Sequence, residues 1–512
     1  MNRSIQEVLQ AISDVAAGVS PAQFAHVKSS LAAAPRQQFN ALIDALLVEN
    51  PPATAPVDDF LSTLFTSCCQ APPATILDSE AACDTLRISK MYKHLRSFPK
   101  STASLLQYLA AAKTDDALRV LADLIVDDPP RDPTHAAVAL SPLFLSLDYN
   151  PQALFPRLLD GLQNASTAGC VLDLTNYLTR EEMVPQHPAA AQRDQLEKFL
   201  SGIVGQLAEL EKFPQNTSAT AEQLKAQVDH SISLAVSICD ALALIGDVSA
   251  VGKLYQAVEL RHRRLRTEAA AALARLGEEE GAAILAALAA EPVARLRVLS
   301  YADEMGIAER IAAEYQTPQA RAEAQLALWL AQPANVGIPP TTMELVECDQ
   351  LYWPSFDEPV ECYLFRFTYQ FEQGEFSNIG IAGPLTHAFG ADLGDLPPDD
   401  IYAAFAGWQA EHEDIYEIPA QQFTEGLRVE VSRFERRLHD AGFGHVQPVL
   451  LGSFFGDLYL IAAATQDGQP GIGLADSDDA FWWPSRPGQR SLGAFEISCI
   501  YKGRKLLRSF NP

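Results

Sequence analysis

Positive charge is what this chain has least of. Its 65 aspartates and glutamates outnumber 38 lysines and arginines, giving a formal net charge of −27 over 512 residues. A diffuse negative field of that size disfavours nucleic acid and anionic membrane surfaces, and favours solubility and basic partners. Cysteine is sparse, with 8 in the whole chain. Cys68 and Cys69 are adjacent, Cys83 lies some way on, and Cys348 and Cys362 have no ligand-spaced histidines beside them. That spacing fits neither a disulfide framework nor a zinc site, so buried free thiols in a reducing compartment are expected. The start, Met1 to Glu7, enters a helical pattern with no apolar h-region and hence no secretory signal. No apolar run approaches the ~20 residues needed to cross a bilayer. The expectation is a cytoplasmic protein with neither nucleic acid nor membrane as partner.

Strand signals are almost absent from residues 1–230. Ile5, Val8, Leu9, Ile12 and Val15 keep the spacing of one buried helical face, and Leu42, Ile43, Leu46 and Leu47 repeat it. Leu118 to Ile125 and Leu196 to Leu207 do the same. Pro51-Pro52, Pro72-Pro73, Pro129-Pro130 and Pro185 with Pro188 fall between these runs, where a missing N–H costs least. Degenerate helical pairs are expected, with Gln215 to Thr220 as an inter-helix loop.

From about residue 231 a pattern recurs. Leu242-Ala243-Leu244-Ile245-Gly246-Asp247 is echoed by Leu273-Ala274-Arg275-Leu276-Gly277-Glu278, the two glycines 31 residues apart. Arg264 and Arg266 precede Arg295 and Arg297 by the same interval, and a looser third copy ends at Met305-Gly306. A period of this length marks a two-helix unit that buries its apolar face only by stacking on a neighbour. An arginine, an alanine-rich helix, Leu-Gly-Asp and then a second apolar helix resemble the short HEAT-like repeat named after phycobilisome lyases. Arg266, Glu268 to Leu273 and Leu276-Gly277-Glu278 carry the match, with Glu278 where the pattern has aspartate; the third copy lacks the acid. The resemblance covers about 232–333 and implies an α-solenoid. This repeat serves lyases, scaffolds and adaptors alike, so it leaves function open.

Pro333-Ala334-Asn335-Val336-Gly337-Ile338-Pro339-Pro340 ends the helical pattern and predicts a domain boundary. Beyond it the spacing changes. Val360 to Phe371, Phe376 to Ile381, Val446 to Phe455, Leu458 to Thr465 and Gly471 to Ala475 read as strands. Helices are expected from Pro398 and over Phe423 to Ala441, and a last hairpin over Glu496 to Phe510 turning at Lys502-Gly503-Arg504. The predicted fold is mainly α: helical pairs over 1–230, HEAT-like repeats over 231–335, and an α+β domain with a mostly antiparallel sheet over 341–512.

Few residues suggest chemistry. Arg261, Arg263 and Arg264 belong to the strongest basic cluster. They either grip an acidic peptide or a bilin propionate, or form a solvated face. Arg266 and Arg297 are expected to bond within the stack. Asp392 to Glu417 holds eight acids and no lysine or arginine, a solvated face or a contact for that cluster. Its spacing fits no EF-hand, and Glu411-His412-Glu413 lacks the second histidine of a zinc helix. Gly380 and Gly383 end a strand before His387, as a close backbone approach to a ligand or as a tight turn. No serine or cysteine nucleophile motif accompanies that histidine. Trp482 and Trp483 follow the acidic Asp476 to Asp479, either as partner anchors or packed on the sheet. No cofactor and no metal is implied. The expected role is a non-catalytic scaffold or adaptor that binds a protein partner on the solenoid surface. The alternative is a bilin lyase-like or other enzyme with a ligand site in the solenoid groove or C-terminal domain.

Overall fold

The computed structural model describes residues 3–19, 36–69, 84–212, 220–372, 374–485 and 490–511. Pro72-Pro73, Cys83, most of the expected 215–220 loop and Gln373 lie outside these residues, as do the side chains of Cys68 and Cys69. The chain divides after Leu285 into two units, Met1–Leu285 and Ala286–Pro512.

The described part of the first unit is helical. Helices Ala55–Cys69, Pro99–Ala112, Pro133–Leu140, Ala165–Arg180, Ala221–Ile245 and Arg263–Arg275 pack successively on one another as one layer. Arg36–Val48, Thr85–His94, Asp115–Asp127 and the 3₁₀ turn Arg157–Gln163 form a second layer. Apolar positions of the sequence reading fill the interface: Ile5, Val8, Ile12, Val15, Leu42, Ile43, Leu118 and Leu121 are all buried. Prolines stand in the first turn of helices, at Pro99, Pro133 and Pro142. Polar residues stitch neighbouring helices. Asp58, buried, accepts from Ser101 N at 2.8 Å and Lys100 N at 3.1 Å, which caps the Pro99–Ala112 helix from Ala55–Cys69, its neighbour in the layer. Asp240 takes the fork of Arg180 on one side and Arg275 Nη1 at 3.4 Å on the other. Gly246 and Gly277, the repeat glycines, have φ of 77° and 85° and end their helices in the left-handed conformation.

Glu222–Ile245 is long and apolar enough to cross a membrane, and half of its apolar window is buried inside the protein. The sequence reading missed this run because Glu222, Lys225 and Asp229 interrupt its first turns.

The second unit opens with helices Pro292–Glu304 and Pro318–Leu330 and continues into two antiparallel sheets. The first sheet has the order β1 (Thr342–Leu351), β2 (Val360–Phe371), β3 (Gly374–Ala382), β4 (His387–Ala388). The second is β5 (Ile415–Pro419), β6 (Gly444–Phe454), β7 (Asp457–Gln466), β8 (Gln469–Ala475), β9 (Ala480–Pro484). The architecture is therefore mainly α with a β-containing C-terminal region. The expected boundary at 333–341 does not separate two cores. Leu326 and Leu330 of the Pro318–Leu330 helix pack on Tyr363, Phe365, Phe367 and Tyr369 of β2. Apolar side chains on both sides of the Pro-rich turn close on each other, which turn composition alone does not reveal.

The unit is built twice. A helix, a four-strand meander and a second helix run from Pro318 to Gln409, and the same order runs from Glu425 to Phe510. In each copy the first helix covers one sheet face and the second helix the other: Pro318–Leu330 and Pro398–Gln409 on the first sheet, Glu425–Asp440 and Ala494–Phe510 on the second. Gly380 lies beneath Leu326, and Gly473 lies beneath Leu438 in the other copy.

The two second helices cross at a distance only glycine permits. A Cβ on Gly407 would stand 1.9 Å from the carbonyl oxygen of Cys499, and one on Gly503 would stand 1.8 Å from that of Ala403. Ala403 and Gly407 are one turn apart, as are Cys499 and Gly503, so each helix makes the same contact that it receives. This overturns the expected final hairpin at Lys502-Gly503-Arg504. Residues Ala494–Phe510 are one helix. Gly503 serves the crossing and not a turn; Ile497 and Tyr501 of this helix pack on the second sheet, and Ile500 joins the core of the first. The same helix supplies cations to the acidic segment. Arg504 forks onto Asp400 at 2.7 and 2.8 Å, and Lys502 reaches Glu417 at 2.7 Å.

Replacing Gly407 by alanine is expected to destabilise the protein by about 3 kcal/mol, because neither backbone can yield to the added methyl. Gly426→Ala, with no atom within 4 Å of its Cβ position, is expected to be neutral or stabilising by up to ~1 kcal/mol. Urea denaturation of the two variants checks the contrast. Equal midpoints would show that the crossing relaxes.

Candidate functional site

A cavity of about 570 Å³ opens beside the edge of the first sheet. That is the size of a small-molecule site. Its floor is the outer sheet face, Phe367, Tyr369 and Phe376; Trp329 and Val336 close one side, and Ala388, Phe389 and Gly390 another. Three titratable side chains line it, His387, Arg490 and Tyr369, and the hydroxyl of Tyr369 is already donated to the carbonyl of Ile338 at 3.0 Å.

The aromatic floor follows from strand alternation: Phe365, Phe367 and Tyr369 of β2 point to one face and pair across β3. The wall after β4 is held by one amide. Asn378, buried, donates Nδ2 to the carbonyls of Phe389 at 3.0 Å and Ala391 at 2.9 Å. Its Oδ1 accepts from Ile379 N at 2.8 Å and Leu393 N at 3.0 Å. Every hydrogen-bonding position of the side chain is filled. β4 stops after two residues, and Asn378 stands in for the missing strand.

His387 sits at this edge. Its ring stacks on Trp408 at 4.2 Å and meets Trp329 and Phe389 edge-on at 5.3 and 5.2 Å. Among the described residues no group hydrogen-bonds the imidazole. Burial lowers its pKa to about 4, so the ring is neutral at neutral pH. The cation of the cavity is Arg490, whose guanidinium lies over Phe376 at 4.9 Å from the ring centre. No carboxylate among the described residues pairs with it. Asp392 and Asp395 line a smaller hollow of about 90 Å³ that Arg490 also borders, and Asp392 Oδ1 is taken by Gly394 N at 2.8 Å.

The other expected positions are structural. Gly380 pairs with Ala388 and leaves room for Leu326. Gly383, at φ 114°, would drive a Cβ to 2.2 Å from the carbonyl of Glu361. Both glycines serve chain-to-chain approach. Of the three, only His387 lines the cavity. Trp482 and Trp483 belong to β9 and pack on the sheet. Trp482 packs on Phe443 at 5.3 Å on one sheet face, and Trp483 packs on the other with Arg504 above it. Successive strand residues point to opposite faces, so the pair cannot act as one anchor. Asp476 is turned inward, accepting from Asp478 N and Asp479 N at 2.8 Å and from Tyr501 Oη at 2.9 Å.

Arg261, Arg263 and Arg264 are exposed, Arg261 in the turn before the Arg263–Arg275 helix and the other two in its first turn. The buried arginine of the Pro292–Glu304 helix is Arg295. Arg295 donates to the carbonyls of Ala289 at 2.8 Å and Ala320 at 2.7 Å and to Glu323 at 2.5 Å, while Arg297 is exposed. The helix places Arg295 beside Ala294 and Val298 on its buried face.

The chain matches no family model, no curated protein and no solved structure.

Sequence reasoning missed Arg490 and Asn378. Arg490 follows a glycine-proline stretch with no motif, and Asn378 acts through a loop that it meets only in the fold. A usable signal was the recurrence of Gly380-Ile381-Ala382 as Gly473-Leu474-Ala475.

Two imidazoles should resist protonation. His187 accepts Ala189 N at Nδ1 (3.2 Å) and donates Nε2–H to Asn176 Oδ1 (2.9 Å); burial, reinforced by Arg180, lowers its pKa to about 4, matching His387. Unfolded histidines titrate near ~6.5, so between there and about 4 the unfolded chain binds more protons. Stability is complete above ~6.5 and falls as pH drops toward about 4. In a proton NMR titration both ring signals should stay neutral to about pH 4. A midpoint near ~6.5 for either would mean that its ring is solvated.

Asn378→Ala is expected to cost about 3 kcal/mol, since buried carbonyls and an amide lose their partner. Asn378→Asp should not restore stability, because it lacks the Nδ2 donors. Thermal melts of both variants test this, and an aspartate that melts like wild type would refute the clamp.

Proposed function

We propose that the chain is a non-catalytic scaffold or adaptor that binds a protein partner on a HEAT-like solenoid surface. The observation that carries this reading is the exposed Arg261, Arg263 and Arg264 on a stack of helical pairs, within a chain of net charge −27. The two helix layers, the 31-residue period and the left-handed glycines that end the repeats support the HEAT-like assignment. An arginine cluster in an acidic protein recognises carboxylates through planar, forked donors. The partner therefore presents an acidic segment to the turn between Val251–Val258 and Arg263–Arg275.

Charge reversal at Arg263 and Arg264 should weaken capture of the partner by the immobilised full chain from its native lysate. It should move stability by less than ~0.5 kcal/mol, as exposed substitutions do. A partner set unchanged by the reversal, on a protein with an unaltered melt, would remove this face from the reading.

A further inference from the structure

The duplication of the second unit supplies an internal comparison for the cavity. Gly380 and Gly473 are matched positions, each beneath the first helix of its copy. Across the sheet Gly380 pairs with Ala388 and Gly473 pairs with Trp482, so Ala388 and Trp482 occupy the same place in the two copies. Both project to the face covered by the first helix. In the second copy the indole fills that face. Its outer carbons lie 2.7 Å from where Gly471 would carry a Cβ, and its ring packs on Phe443. In the first copy a methyl group stands there instead, and the space beside it is the aromatic cavity.

The surroundings suit a ring that is not covalently attached. Trp329, Phe367, Tyr369, Phe376 and Phe389 offer faces and edges, and ring pairs in such settings gain beyond simple burial. Arg490 contributes charge. A guanidinium that uses its face on Phe376 keeps its in-plane N–H donors, which match a carboxylate. His387, neutral, adds a donor or acceptor without competing for the anion.

We propose that the cavity binds a planar aromatic carboxylate, its ring taking the place that the Trp482 indole holds in the second copy and its carboxylate meeting Arg490. This is independent of the scaffold reading, which rests on the first unit.

Isothermal titration of the full chain with indoleacetate and with its neutral amide, indoleacetamide, tests it. Indoleacetate should bind at one site, about tenfold more tightly than the amide, the ratio one charge-assisted pair gives. Arg490→Gln should bring the two affinities together without changing the melt. Ala388→Trp should abolish binding of both while the protein still melts cooperatively, because the first copy would then carry the second copy's own filler. Should Ala388→Trp fail to fold, Ala388→Leu, which narrows the cavity less, should weaken both ligands together. No indoleacetate binding at millimolar concentration would overturn the proposal. So would an unchanged acid-to-amide ratio in Arg490→Gln, or full binding by folded Ala388→Trp.

Discussion

The C-terminal unit depends on two backbones meeting without side chains between them. Each sheet buries one face under its own first helix, and its other face needs a second helix. Those second helices, Pro398–Gln409 and Ala494–Phe510, are each too apolar for water at their crossing: Ala403, Gly407, Cys499, Ile500 and Gly503 are all buried. They solve this by burying against each other, and Gly407 and Gly503 set how closely. At that separation the contact is dense in dispersion, and its two halves repeat each other. Arg504 to Asp400 and Lys502 to Glu417 then fasten helix to helix and helix to sheet edge.

Much of this could be read in advance. Runs rich in aromatic and aliphatic residues located β2, β3, β6, β7 and β8 closely, because helices cover both faces of each sheet and these strands are buried over several consecutive positions. The Glu425–Asp440 helix ended at Gly442 as its pattern implied. β1 was missed because as an edge strand it is largely exposed, with Glu344, Glu347 and Asp349 interrupting the alternation. The final helix was misread because Gly503 has two physical uses, and a sequence shows the residue without showing which use applies. The division of the chain was misplaced for a related reason: a proline-rich turn reports that a helix stops, not what the helix packs against.

The candidate site was legible only at His387. Its geometry depends on residues distant in sequence, from Trp329 to Arg490, and on an amide that replaces a strand. The buried charge of Arg295 shows the same limit. Arg295 and Arg297 are indistinguishable as letters, and only the helical phase decides which one meets the carbonyls of Ala289 and Ala320. Burying a cation is tolerable when its nitrogens find oxygens and a counter-charge, and all three nitrogens of this arginine do, with Glu323 as the charge.

The reciprocal glycine crossing also fixes an order of events during synthesis. When Pro398–Gln409 leaves the ribosome, its partner does not yet exist. The intervening residues take on the order of ten seconds to make at ~5–20 residues per second. For that interval the Ala403–Gly407 face has nothing permanent to cover it. A nascent chain in this state displays an adhesive helix, and a further-extended neighbour offers its own Ala494–Phe510 helix to it. Because the contact joins Ala403–Gly407 to Cys499–Gly503, a neighbouring polypeptide's later helix fits it as the chain's own does, and this crossing is where a domain-swapped dimer would begin.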